Sequence, residues 1–187
     1  MVNTQIGKHM RAWMADAGRR AIESLPQAEA MCSPLSINYC RLLMEMGDFA
    51  SAEPLAFAIQ DARIKHFSAH HVSSFAATHI LGSFFFKKGM LRGDTPLLAK
   101  AAELFGIAHK GRAAVLGRTH SDTLLSLSCQ GASFLYSDQL EPAGVCTIEA
   151  LREQLAAEGG TQNPDTYYTM GVWAEVLWRG RNVLAAM

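Results

Sequence analysis

The chain has 187 residues, of which 49% are apolar and 18% charged, and 17 Lys and Arg balance 17 Asp and Glu. This is the composition of a globular chain long enough to bury a sizeable core, and too apolar for a disordered one. Zero net charge removes the overall electrostatic case for a nucleic-acid or anionic-membrane partner, and no apolar run is long enough to be expected to insert in a bilayer.

Residues 1–30 predict an N-terminal capping helix. Trp13, Ala17 and Ala21 recur at helical spacing and would pack on the element that follows. Lys8, Arg11, Arg19 and Arg20 stand among Ile6, Met10, Trp13, Met14 and Ile22, with Asp16 and Glu23 as the acids. That basic, amphipathic character is also the character of an organelle transit peptide, so the segment carries a targeting alternative, mitochondrial or plastid. It holds no apolar stretch of the secretory type. The default compartment is intracellular and cytoplasmic.

From residue 31 onward the pattern is one of helix pairs. Ser33 is an N-cap with Pro34 at the first helical position, and a helix is expected over Pro34–Met46. Gly47-Asp48 breaks it, and a second helix is expected over Phe49–Lys65. The next pair is Val72–Lys87 and Pro96–Lys110, separated by a long turn over Gly89–Thr95. The third begins at Ser121-Asp122-Thr123, runs to Ser137, resumes over Glu141–Ala157 and stops at Gly159-Gly160. The fourth begins at Pro164-Asp165-Thr166 and runs through Trp178. A turn is expected at Gly180-Arg181-Asn182, with only Val183–Met187 left for its second helix.

These pairs repeat. A small residue occupies one point of each first helix at Cys40, Gly82, Gly131 and Ala174, with spacings of 42, 49 and 43 residues. An alanine follows twelve residues on in three of them: Cys40 to Ala52, Gly131 to Ala143, Ala174 to Ala186. From Gly82 to Ala102 the distance is 20, so about eight residues are inserted, by expectation in a rim loop. A hairpin of two helices cannot bury its apolar stripe alone, and stacking hairpins makes a continuous core. Residues 31–187 then form an array of three full units and one incomplete unit. The open face of the incomplete unit would be covered by another chain, or the sequence is a fragment of a longer protein.

No catalytic constellation is legible: there is no GxSxG, P-loop, GxGxxG after a strand, or HExxH, and His120-Ser121-Asp122 are sequence neighbours, not a triad. We expect no enzyme activity and no cofactor. Cys32, Cys40, Cys129 and Cys146 form no CxxC pair and read as buried reduced thiols. His66, His70, His71 and His79 cluster, but His66 and His70 straddle a helix end without a further ligand, so no metal is expected. Of Phe84-Phe85-Phe86, burial between helix layers is the main expectation, with one ring turned to solvent, a ligand or the next unit.

The linkers carry a family resemblance. Leu116-Gly117-Arg118-Thr119-His120-Ser121-Asp122-Thr123 and Gly160-Thr161-Gln162-Asn163-Pro164-Asp165-Thr166 resemble the LG-x-x-HP-x-T link of the tetratricopeptide repeats of kinesin light chains. Gly47-Asp48-Phe49-Ala50-Ser51-Ala52-Glu53-Pro54-Leu55 is similar to their G-x-[YF]-x-x-AE-x-L turn. Departures are the long second turn, Asp138 where a turn glycine is usual, and the short last unit. The resemblance implies an all-α, right-handed superhelical solenoid of antiparallel helix pairs, whose first helices line a concave groove. It makes His71 the counterpart of the linker residue His120.

In that register the groove positions are Asn38, Arg41 and Glu45, then His79, Ser83 and Lys87, then Ser128, Ala132 and Tyr136, then Glu175, Trp178 and Arg179. Asn can pair with a peptide backbone, and Arg and Lys can hold carboxylates. The expectation is a non-catalytic interaction module or scaffold that binds a peptide or protein surface in this groove. Two alternatives stand beside it. One is an accessory subunit of a larger assembly, organellar if the N-terminus targets it, held by its ends through Trp173 and Trp178. The other is the sensing fragment of a longer multidomain protein.

Overall fold

The structure is a computed structural model that describes the backbone of residues 2–157 and 160–186, and side chains over 9–26, 29–157 and 161–181. The described residues are helical, without a strand: α1 (Val2–Glu23), α2 (Gln27–Cys32), α3 (Pro34–Met46), α4 (Phe49–Phe67), α5 (Val72–Arg92), α6 (Thr95–Leu116), α7 (Ser121–Tyr136), α8 (Leu140–Ala156) and α9 (Pro164–Ala186). None of them is long and apolar enough to cross a membrane. The chain divides into two compact units, Met1–Phe84 and Phe85–Met187. The expected stop at Gly159 lies outside the described residues.

One turn design recurs. Gly47 ends α3 in the left-handed region (φ 77°), and Asp48 then caps α4 by accepting from the Ser51 amide at 3.1 Å. Gly93 (φ 62°) and Asp94 repeat this between α5 and α6, with the Leu97 amide as donor at 3.1 Å. Between α7 and α8 the left-handed position falls to Asp138 (φ 59°), and Gln139 supplies no side-chain cap. Asp is among the few side chains that tolerate this conformation.

The expected long loop over Gly89–Thr95 is not there. The eight extra residues divide evenly about the Gly93-Asp94 turn and add about one helical turn to the end of α5 and one to the start of α6. Gly89 is not a breaker. It sits inside α5, where a Cβ would meet Leu98 at 3.0 Å and Leu97 at 3.1 Å, so its missing side chain is what lets α6 approach.

The links recur as well. Ser33, His71, His120 and Asn163 each accept a hydrogen bond from the amide two residues on, at 2.9–3.1 Å, and so cap α3, α5, α7 and α9. Three residues after each cap stands a buried hydroxyl. Ser36 donates to the Met31 carbonyl at 3.0 Å, Ser74 to Ser68 at 2.6 Å, and Thr123 to Gly117 at 2.9 Å. Thr166 holds the fourth such position, fully buried, and its hydroxyl has no partner among the described residues.

In the first unit α1 packs on α3, α2 on α4, and α3 on α4. Fully buried Cys40 meets Ala52, whose carbonyl it faces at 3.7 Å, and Phe84 packs on Phe49 with ring centroids 6.0 Å apart. In the second unit α6 packs on α7, α7 on α8, and α9 on both α7 and α8. Its small residue Gly131 is needed as such: a Cβ there would stand 2.5 Å from Thr147 Oγ1. Ala132, Leu135, Ala143, Val172 and Val176 form a core joined by Phe86, Phe134, Leu140 and Trp173. The three consecutive phenylalanines are therefore structural. Phe84 and Phe85 are buried and Phe86 packs on Phe105 and Tyr136.

The fourth pair also differs from expectation. Gly180-Arg181-Asn182 makes no turn, and α9 continues through it to Ala186. A helix of five residues gains too little to offset its own nucleation, so the segment extends the helix already formed.

Candidate functional site

The first residues expected to line a groove lie on α3. Asn38, Arg41 and Glu45 fall at helical spacing on one exposed face. Beside Asn38 lies a cavity of about 280 Å³ between α1 and α3, walled by Trp13, Met14, Leu35, Tyr39 and Leu42. Gly18 shapes it, because a Cβ there would stand 2.8 Å from the Tyr39 ring. Trp13 is 68% exposed and Leu35 46%, so the cavity opens to solvent through apolar lips. It can take an aliphatic or aromatic side chain, with the Asn38 amide available to that side chain's own backbone.

The second set is less accessible than expected. His79 is buried and not on a surface. The Ser83 hydroxyl is turned back onto its own helix, donating to the His79 carbonyl at 3.0 Å. Lys87 is half-buried. In the third set Ser128 and Ala132 are fully buried, with Ser128 hydrogen-bonded to Thr169 of α9 at 2.8 Å, so this stretch of α7 is covered by α9. The first helices touch too closely there for these positions to line a groove.

Tyr136, Glu175 and Arg179 do come together. Arg179 Nε donates to Glu175 at 2.7 Å, its Nη1 to Asp138 at 3.1 Å, and its guanidinium lies 5.6 Å from the Tyr136 ring centroid. The hydrogen bond to Glu175 is the main cause that holds the Arg179 pKa above its ordinary value. With these donors committed, Arg179 supports Tyr136 rather than serving as an open clamp for a carboxylate. Asp138 is thus part of the same cluster, a role that its turn position alone does not announce.

The two end-docking tryptophans part company. Trp173 packs into the second unit's core, close enough that a Cβ on Gly144 would touch it at 3.7 Å, and is not a docking residue. Trp178 is 62% exposed.

Sequence reasoning missed Arg63 and Arg112. Both are buried, and they stand eight residues before the caps His71 and His120. Arg63 donates to the carbonyls of Cys32 at 3.1 Å, Ser33 at 2.9 Å and Ser73 at 3.4 Å, joining the link before α3 to the start of α5. Burial lowers its pKa. Arg112 donates to the Asp122 carbonyl at 2.9 Å and to Ser126 at 2.7 Å. The equal spacing to the two caps was the signal that could have found them.

Among the described residues no three His, Cys, Asp or Glu side chains converge as metal ligands. His66 and His71 instead flank the Phe67 ring, with centroids 4.5 and 4.8 Å away. The four cysteines are free, and burial pushes the Cys40 thiol up to about 11. A second cavity of about 220 Å³ lies among His109, Leu124, Leu127 and Glu153, with an Arg118–Glu149 ion pair of 3.0 Å at its rim. Compared with protein-family models and with curated proteins, the chain matches none.

Proposed function

We propose that this protein is a non-catalytic interaction module built of tetratricopeptide-type helix pairs, and that it holds a peptide segment against α1 and α3. The observation that carries this is the solvent-open apolar cavity with Asn38 at its side and Arg41 on the same helix face. The cap that recurs before α3, α5, α7 and α9, and the left-handed turns at Gly47, Gly93 and Asp138, support the repeat reading. The peptide would place one apolar side chain in the cavity, pair its backbone with Asn38, and set an acidic residue toward Arg41.

Panning a displayed random-peptide library against the wild type and Leu35→Glu tests it. Leu35 is half-exposed, so the substitution changes the cavity without unfolding α3. Peptides sharing an apolar anchor should be enriched by the wild type and lost with Leu35→Glu, and Arg41→Glu should remove any acidic preference. Equal recovery by wild type and Leu35→Glu would rule the cavity out. A second reading, a subunit held by its end in a larger assembly, is favoured by the exposure of Trp178 on α9.

A further inference from the structure

We propose that the outer face of α9 is a homodimer interface, on which a second copy of this chain lays its own α9 antiparallel. The face is a ridge of Tyr167, Gly171, Ala174 and Trp178, flanked on one side by Met170 and Leu177. Tyr167 is 58% exposed, Met170 45%, Leu177 53% and Trp178 62%, and nothing lies within 4 Å of a Cβ built on Gly171. Moved back by 43 residues, the same positions on α7 are Leu124, Leu127, Ser128, Gly131, Phe134 and Leu135, all buried or half-buried under neighbouring helices and all but Ser128 apolar or glycine. The α9 face is therefore of core type and stands uncovered.

Its residue order selects the occupant. Ridge positions are symmetric about the midpoint between Val172 and Trp173: Gly171 mirrors Ala174, and Tyr167 mirrors Trp178. An antiparallel pair related by a twofold axis at that point sets Gly171 of each copy against Ala174 of the other, where small residues allow the helices to close. Tyr167 then meets Trp178 of the other copy, and Met170 lies beside its Leu177. No charged residue stands on the ridge, so none is buried without a partner. At about 150–250 Å² for each aromatic side chain, the exposed fractions give roughly 500 Å² of apolar surface on one copy. An antiparallel pair could bury at most about 1,000 Å² in all, the low end of biological interfaces, so the dimer is expected to be weak and concentration-dependent.

This inference is independent of the peptide-binding reading, which concerns α1 and α3. Sedimentation equilibrium over a concentration series should show the mass rising towards twice that of the chain. Ala174→Glu, at an exposed position, should keep the helical circular dichroism and remain monomeric. Cysteine cross-linking fixes the geometry. Position 174 of the two copies would lie about 5 Å apart along the helix axis and position 178 about 16 Å apart. Ala174→Cys should therefore form a covalent dimer under mild oxidation beyond the wild-type background, and Trp178→Cys should not. A wild type that stays monomeric throughout, as it would if the face were meant for another protein's helix, overturns the proposal. So does a heavier species that survives Ala174→Glu, or cross-linking of Trp178→Cys in place of Ala174→Cys.

Discussion

At the scale of single residues, Ser68 holds the least favourable backbone conformation among the described residues. Ser68 and Gly117 hold the same place, three residues before the caps His71 and His120, with φ of 86° and 96° and ψ of 161° and 158°. That region belongs to glycine, and a side chain there costs on the order of 1–3 kcal/mol. Ser68 is exposed and serves the fold through its backbone, its amide donating to the Ile64 carbonyl and its own carbonyl accepting from Ser74. Ser68→Gly should therefore stabilise the protein by about 1 kcal/mol after the entropy that glycine adds to the unfolded chain. Gly117→Ser should destabilise it by a similar amount, both measured as shifts in urea midpoint at constant slope. If the two substitutions move stability in the same direction, the shared strain does not exist. Arg63 poses the opposite case, a buried cation that donates to the carbonyls of Met31, Cys32, Ser33 and Ser73. Arg63→Met keeps much of the volume and leaves the Cys32 carbonyl without its donor, for an expected loss of about 2–3 kcal/mol. A loss below about 0.5 kcal/mol would mean that water or backbone movement replaces the guanidinium.

At the scale of elements, the lengthened second pair makes its own prediction. Four residues were added on each side of the Gly93-Asp94 turn, so the two additions compensate each other. Removing Gly89–Arg92 alone, or Thr95–Leu98 alone, leaves one helix a turn longer than the other and puts the turn out of register with the packing beneath. Removing both restores the twelve-residue spacing of the other pairs. The double deletion should be less destabilised than the sum of the single deletions, read from thermal unfolding. Simple additivity would show that the two turns are not paired. The same pair shows what is legible beforehand. The bounds of α3 and the starts of α4 and α7 follow from Ser33-Pro34, Gly47-Asp48 and the linker cap His120, because those signals act through one local hydrogen bond or one φ angle. Gly89 misleads because a helix-interior glycine that admits a neighbouring leucine looks, in one dimension, like a glycine that ends a helix. The continuity of α9 through Gly180 is hidden for the same reason. Of the candidate site, Asn38, Arg41 and Glu45 are placed by the register that the resemblance implies, and helical period accounts for their sharing one exposed face of α3. The burial of His79, Ser128 and Ala132, the commitment of Arg179 to Glu175 and Asp138, and the internal position of Trp173 depend on how closely neighbouring helices pack, which no single-helix pattern encodes.

At the scale of the whole molecule, charge and apolar surface separate two kinds of recognition. Acidic and basic residues balance, so the net charge itself supplies no long-range attraction to a partner. Exposed apolar side chains line both the Trp13–Leu35 cavity and the outer face of α9. If these supply the binding energy, a peptide selected on the α1–α3 cavity should change affinity by less than about threefold between about 50 mM and about 0.5 M sodium chloride. Sodium sulfate should tighten both peptide binding and self-association, because excluded salts strengthen apolar burial. Isothermal titration for the peptide and sedimentation for the chain read the two effects separately. An affinity that falls by about tenfold across the same chloride range would place the energy in ion pairs, and hence in Arg41 as a carboxylate clamp rather than in the cavity. Because Glu45 lies one helical turn from Arg41 on the same face, that result also predicts that Glu45→Gln binds an acidic peptide more tightly, while an apolar mode leaves Glu45→Gln unchanged.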